Sequence, residues 1–303
     1  MSEDKKATFS VSSSRITGRV KGGDNSPKSI IFLALLWLSL FLAFAFLVTL
    51  IVTTFIEGSP RLNSLLLTEY PASRPAEAGA RPAILGSMMV IAFTALFTLP
   101  LGIAAGVHLE EFSDRKRWYN RIIELNVQNL AAVPSIVYGL LTLGALTAIG
   151  VKEKNIVAAG AMALSLLILP VIIIVTRESL RAVPEEIRQG SLALGATPLQ
   201  TLFRQTLPSA VPGIATGSIL ALSRALGEAA PLLILGALVF VSFDPNGLLS
   251  GYTTLPIQIF NWTGRPQEEF HILAASASIV LLALLLTMNL VAIVIRNRFQ
   301  KRW

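Results

Sequence analysis

The 303-residue chain has no cysteine, only two histidines, His108 and His271, and just 14% charged residues. Without thiols there are no structural disulfides and no thiol nucleophile. Two isolated histidines with no His-Glu-x-x-His leave metal catalysis without a ligand set, and nothing in the sequence calls for a cofactor. A Gly-x-x-x-x-Gly-Lys-Ser/Thr loop is also missing, and no Gly-Lys dipeptide occurs anywhere, so the chain holds no phosphate-cradling nucleotide site of that kind. Soluble domains carry roughly 25% charged residues, and the shortfall here points away from them.

What fills the chain instead is uninterrupted apolar length. Runs read at about 30–56, 84–107, 130–149, 156–175, 209–241 and 272–295, and a spanning helix needs around 20 residues. The sequence therefore predicts an all-α integral membrane protein with six transmembrane helices, one membrane domain over 30–303. A net charge of +7 would suit nucleic acid, but the 25 Lys and Arg residues alternate by loop. Eighteen precede the first run, follow the last or lie in 108–129 and 176–208, against six on the other side. This asymmetry predicts cytoplasmic N- and C-termini, with no nucleic-acid partner and lipid all round. Residues 1–29, rich in Ser, Gly and Lys, read as a disordered cytoplasmic tail. The run that follows is too long for a signal peptide, so it is expected to stay as the first span.

Residues 57–83, with Pro60, Pro71, Pro75 and Pro82, read as an irregular, part-helical external loop. Gly102 and Gly106 sit four residues apart and let another helix approach closely. The mixed charges from Glu110 and Glu111 to Arg117 read as a solvated face. In the third run Pro134 interrupts the helical register and Ser135 can re-satisfy a freed carbonyl, so a broken helix is expected. Broken backbone at membrane depth lines cavities, which makes Pro134 and Ser135 path candidates, a simple kink being the alternative.

The fifth run carries a charged pair, Arg224 and Glu228. Read as one helix from Pro208, it places Arg224 roughly 24 Å in, near the bilayer midplane, and stacks both side chains on one face. A charge there costs about 2.5–3.5 kcal/mol and usually marks a transport path; a buried structural ion pair is the bland alternative. Ser223 beside it adds a polar group.

Between the fourth and fifth runs the loop 176–208 is punctuated for two short helices. Pro184 with Glu185 and Glu186 starts one, Gly195 stops it, and Thr197-Pro198-Leu199-Gln200 supplies a capping box for the next. Leu192, Leu194, Leu199 and Leu202 are expected to be exposed as a docking surface, contact with the lipid surface being the alternative.

Two segments in this loop, Gln189-Gly-Ser-Leu-Ala-Leu-Gly195 and Gln205-Thr-Leu-Pro208, carry a resemblance. They are similar to the signature loop of ATP-binding-cassette importer permeases of type I, whose pattern is Glu-Ala-Ala, three residues, Gly and a later Ile-x-Leu-Pro. Gln189, Gly190 and Ser191 replace Glu-Ala-Ala and Gln205 replaces Ile, while Gly195, Leu207 and Pro208 match. The stretches Val133–Gly139, Ser223–Leu233 and Leu255–Phe270 further resemble phosphate-specific permeases, the last favouring the A-type of the two paired subunits. Ala229 departs from the threonine of many relatives, which removes a hydroxyl at that position.

The resemblance implies a coupling helix at 189–208 docked on a separate ATPase. It also implies an assembly in a bacterial inner membrane: this chain beside a homologous permease, two ATP-binding subunits below, and a periplasmic or extracellular phosphate-binding protein above. The loop around Trp262 would meet the binding protein or gate, or Trp262 would anchor at the interface. Within that class another oxyanion, sulfate or molybdate, is the runner-up substrate; a secondary transporter is disfavoured because no inverted repeat is visible.

The orientation is directly testable because the chain lacks cysteine. Ser73→Cys and Thr263→Cys are expected to react with an impermeant thiol reagent from outside and Ser191→Cys is not; the opposite labelling would reverse the topology.

Overall fold

A computed structural model describes residues 27–114, 117–237 and 240–299. The order is α1 (Pro27–Gly58), a 3₁₀ turn (Ser59–Arg61), α2 (Ser64–Thr68), α3 (Arg81–Val107) ending in a π-helical turn (His108–Phe112), α4 (Trp118–Ala131) and α5 (Ser135–Ala148). Then come α6 (Val157–Arg181), α7 (Glu185–Ala193), α8 (Pro198–Thr201), a second π-helical turn (Leu202–Thr206), α9 (Leu207–Leu226), α10 (Ala230–Ile234), α11 (Leu255–Thr263) and α12 (Glu268–Phe299). Five helical stretches are long and apolar enough to cross a membrane, and α4 with α5, bent by 108°, makes a sixth if the pair counts as one. The all-α membrane architecture expected from the apolar runs is present. The tail assigned to 1–29 falls, for 1–26, outside the described residues, and Pro27–Ser29 already belong to α1.

The chain divides into two compact units, Met1–Ile51 and Val52–Trp303. Within the first, the described residues are α1 alone, apolar on every side and exposed along nearly all its length, the pattern of a membrane span. Within the second, α6 is the centre. Ile168 and Ile172 on it are buried against Val90 and Ile91 of α3, Leu222 and Ala225 of α9, and Tyr138 of α5. Close approach explains the small residues: a Cβ on Gly102 would lie 2.6 Å from Ile172 and one on Gly106 2.6 Å from Thr176. A second cluster gathers Leu66, Leu255, Trp262, Phe270 and Leu273, tying the segment after α1 to α11 and the start of α12.

Four expectations change. The fourth apolar run does not end the helix at Val175: α6 continues to Arg181, so Thr176, Arg177 and Leu180 of the expected loop are buried helix. The fifth run is not one helix, because α9 stops at Leu226. Pro231 has no N–H to return to the Gly227 carbonyl, and Gly227 caps the end. Trp262 is fully buried in the second cluster and is neither a surface contact nor an interface anchor. The charges at 110–111 are not a solvated face. Glu110, with 3% side-chain exposure, accepts from Arg177 (3.3 Å) and Arg181 (2.9 Å) of α6, and Glu111 pairs with Arg188 of α7 at 2.6 Å. Arg177 reaches on to Glu124 of α4 at 2.9 Å. Removing one member of such a buried pair costs roughly 3–5 kcal/mol, because the other is left charged and alone.

At Gly86 an added Cβ would overlap the Thr253 carbonyl, which is backbone and does not rotate away, whereas at Gly144 it would meet nothing within 4 Å. Gly86→Val is expected to destabilise by about 1–3 kcal/mol or more, read as a lower Tm of the purified protein in detergent. Gly144→Ala leaves Tm unchanged or raises it; equal Tm values for the two variants would contradict the packing.

Candidate functional site: a charged helix end and a capped elbow

Arg224 stands in the last turn of α9, and Glu228 lies past the helix, in the turn that follows Leu226. The i,i+4 pairing survives the helix end because Gly227 N–H donates to Arg224 O and Glu228 N–H to Ala225 O, a tightened last turn. Arg224 Nε lies 3.8 Å from Glu228 Oε1, with the arginine side chain 59% exposed and the glutamate 22%. A pair this long and open contributes about 0–1 kcal/mol, so it is a poor strut. Its guanidinium donors remain available. The charge is therefore presented at an open helix end, where the sequence predicted a mid-helix position.

The other path candidates divide. Ser223 is buried and donates to Asn289 Oδ1 of α12 at 3.0 Å, a tie between helices. Asn289 was missed by the sequence reading, although a lone amide inside the sixth apolar run was a signal. Pro134 is exposed at the N-cap of α5, where the chain bends between α4 and α5, and Ser135 is half-buried. The bend is held by Tyr138, whose hydroxyl donates to the Leu130 carbonyl at 2.6 Å, an acceptor at the end of α4 that also receives the Val133 N–H. A Cβ on Gly139 would lie 2.6 Å from the Pro231 carbonyl. The broken third span thus packs on α10, which starts two residues after Glu228.

The connection from α6 to α9 is a capped elbow. Glu185 and Glu186 open α7, and Gly195 turns the chain at φ +85°, a left-handed conformation that a Cβ disfavours by roughly 1–2 kcal/mol. Thr197 then accepts from Gln200 N–H while Gln200 accepts from Thr197 N–H, the expected capping box. The hydroxyls of Ser191 and Thr201 lie 2.9 Å apart and close the elbow. The helix that follows is not short; through the π-helical turn it continues into α9, so Leu207 and Pro208 open a span. Leu194 is 91% exposed, with Leu192, Leu199 and Phe203 exposed near it, whereas Leu202 is buried and leaves the proposed surface. Gln189 and Gly190 are exposed, Ser191 half-buried, and Gly190, Ser191, Leu194 and Gln200 help to line an open concavity of about 420 Å³.

A bundle of apolar spans with two helix breaks packed together, a charge at one of them and an apolar elbow facing outward defines a membrane transport subunit. The chain belongs to the family described as binding-protein-dependent transport system inner membrane component, which matches residues 98–303. It is 32% identical over 279 residues to the phosphate transport system permease protein PstA of Yersinia pestis, covering 91% of this chain and 92% of that protein. It is 30% identical over 260 residues to the probable phosphate transport system permease protein PstA of Methanocaldococcus jannaschii, covering 86% and 90%. In fold it is similar to a chain of a bacterial alginate ABC transporter, with a TM-score of 0.66 at 16% identity over 90% of this chain and 96% of that one.

Such a permease works with an ATPase and a substrate-binding protein. Leu194→Asp tests the elbow. At 91% exposure the substitution should change stability by no more than about 0.5 kcal/mol, while recovery of the ATPase with the detergent-solubilised protein falls severalfold. Unchanged recovery would remove the elbow from the interface.

Proposed function

We propose that the chain is the permease subunit of an ATP-binding-cassette importer of inorganic phosphate, with Arg224 as the anion-facing cation of its path. The carrying observation is the 59% exposed arginine at the end of an apolar helix. A guanidinium left toward hydrocarbon is expensive, so this one faces a wet path or an anion. Its planar fork suits a phosphate oxygen pair. Glu228 holds the arginine when the path is empty and selects as well. Phosphate near neutral pH carries a proton to donate to a carboxylate, whereas sulfate carries none and meets repulsion. Similarity to proteins named as phosphate permeases supports this substrate over other oxyanions.

In this reading the chain forms half of the path with a homologous permease in a heterodimer, a pair of ATP-binding subunits docks on the elbow 189–208, and a phosphate-binding protein delivers substrate from the opposite side. ATP hydrolysis belongs to the partner, and both termini of this chain lie in the cytoplasm. Pro134 and Ser135, at the break packed toward α10, form the adjoining wall; Ser223 contributes by fixing α9 to Asn289.

The test is phosphate uptake by Arg224→Gln, Glu228→Gln and the double variant at matched membrane abundance. Uptake is expected to be lost in both arginine variants, with the double variant folded and assembled, and Arg224→Lys, which keeps the charge without the fork, retains part of it. Glu228→Gln should raise sulfate competition for uptake. Wild-type uptake in the double variant would reduce the pair to a dispensable contact.

A further inference from the structure

We propose that the ion pairs at the inner end of α3 link the elbow to the broken span, with Arg188, Glu111 and Arg177 as positioning residues of the transport cycle. The proposal rests on the reading of the chain as an ATP-driven permease. Its basis is one connected line of contacts. Arg188 on α7 pairs with Glu111 at 2.6 Å and donates to the Leu180 carbonyl of α6 at 2.8 Å. Glu111 stands beside Glu110 in a π-helical turn, a backbone form with one residue too many per turn that recurs at functional positions. Glu110 receives Arg177 and Arg181, and Arg177, only 6% exposed, extends its other nitrogen to Glu124 of α4. Tyr138 of α5 donates back across the 108° bend to Leu130 of α4, and α5 lies on α10 just beyond Glu228.

Placement separates this line from ordinary packing. α7 has no fully buried residue; Ile187 packs partly buried against Leu180 and Ile214, Ser191 meets Thr201, and Arg188 is its ionic tether to the π-helical turn. Arg188 and Glu111 are largely buried, 19% and 15% exposed, where opposite charges attract more strongly than in water. A displacement of α7 therefore pulls on the π-helical turn through Arg188. That turn gives its carboxylates to α7 and α6, Arg177 of α6 passes the link to Glu124 of α4, and the element next in line is the bend at Val133 and Pro134, where the backbone hydrogen-bond ladder is interrupted. The coupling claimed is of position only: nothing in the line binds the anion.

The distinguishing measurement is the ratio of phosphate transported to ATP hydrolysed by the complete complex in proteoliposomes, with inorganic phosphate and its binding protein. Glu111→Gln and Arg188→Gln are expected to lower that ratio about tenfold, inside the 5- to 150-fold range of typical coupling energies, while ATP hydrolysis is retained and subunit stoichiometry is unchanged. The reversed pair, Glu111→Arg with Arg188→Glu, recovers most of the ratio. Glu124→Gln, further along the line and with a third of its side chain open to solvent, lowers it less. Uptake and hydrolysis falling together with the amount of complex would make the pairs merely structural and overturn the proposal. So would an unchanged ratio, or loss in the single variants with no recovery on reversal. A wild-type complex whose ATP hydrolysis ignored phosphate would instead overturn the phosphate-importer reading, independently of the linkage.

Discussion

The constraint on which this chain depends is that hydrocarbon offers no hydrogen bonds. Every backbone amide inside a span must find a partner within the protein, so a helix is broken only where protein or enclosed water can take over. The two breaks here obey that rule alike. At each the last turn tightens so that successive amides still reach acceptors three residues back, and at the first the Tyr138 hydroxyl donates to the Leu130 carbonyl as well. α5 lies directly on α10, which starts two residues after Glu228. Arg224 stands in the last turn before the second break. The same residue in the middle of an unbroken helix would have its side chain among apolar neighbours.

How much of this was legible from the sequence depended on range. Spans came from apolar length, and the elbow came from local chemistry: Gly195 does adopt a positive φ, and Thr197 with Gln200 does close a capping box. Pro134 announced its break. Pro231 did not, because summed hydropathy over 209–241 registers composition and is blind to a missing amide donor. The ion pairs escaped for another reason. Glu110 and Arg177 are 67 residues apart, so their mutual neutralisation exists only after α3 and α6 have packed. Read locally, Glu110 and Glu111 could only be charges in search of water. Trp262 failed similarly: an aromatic in a polar-looking segment near a span suggests an interface, yet the turn around Gly264 folds it under Phe270 and Leu273.

Exposure has different meanings at the two ends of the molecule's polar line. At the elbow, Leu194 loses nothing by burial under a partner and gains apolar contact, so its exposure argues for association. At α9, burial of Arg224 under a purely apolar partner would be strongly unfavourable, so the partner surface opposite it must be polar or must leave room for water. In the proposed heterodimer the facing subunit meets that demand where an anion or a carboxylate stands beside Arg224. In the proposed path Glu228 fills this second role when no anion is bound. When phosphate arrives, the carboxylate need not leave. It accepts a hydrogen bond from the proton that phosphate carries while the guanidinium binds the unprotonated oxygens, so the carboxylate and the anion attract where they would otherwise only repel. An anion without a proton offers no such hydrogen bond. On this account selectivity comes from hydrogen-bond complementarity, since both oxyanions carry negative charge and are similar in size.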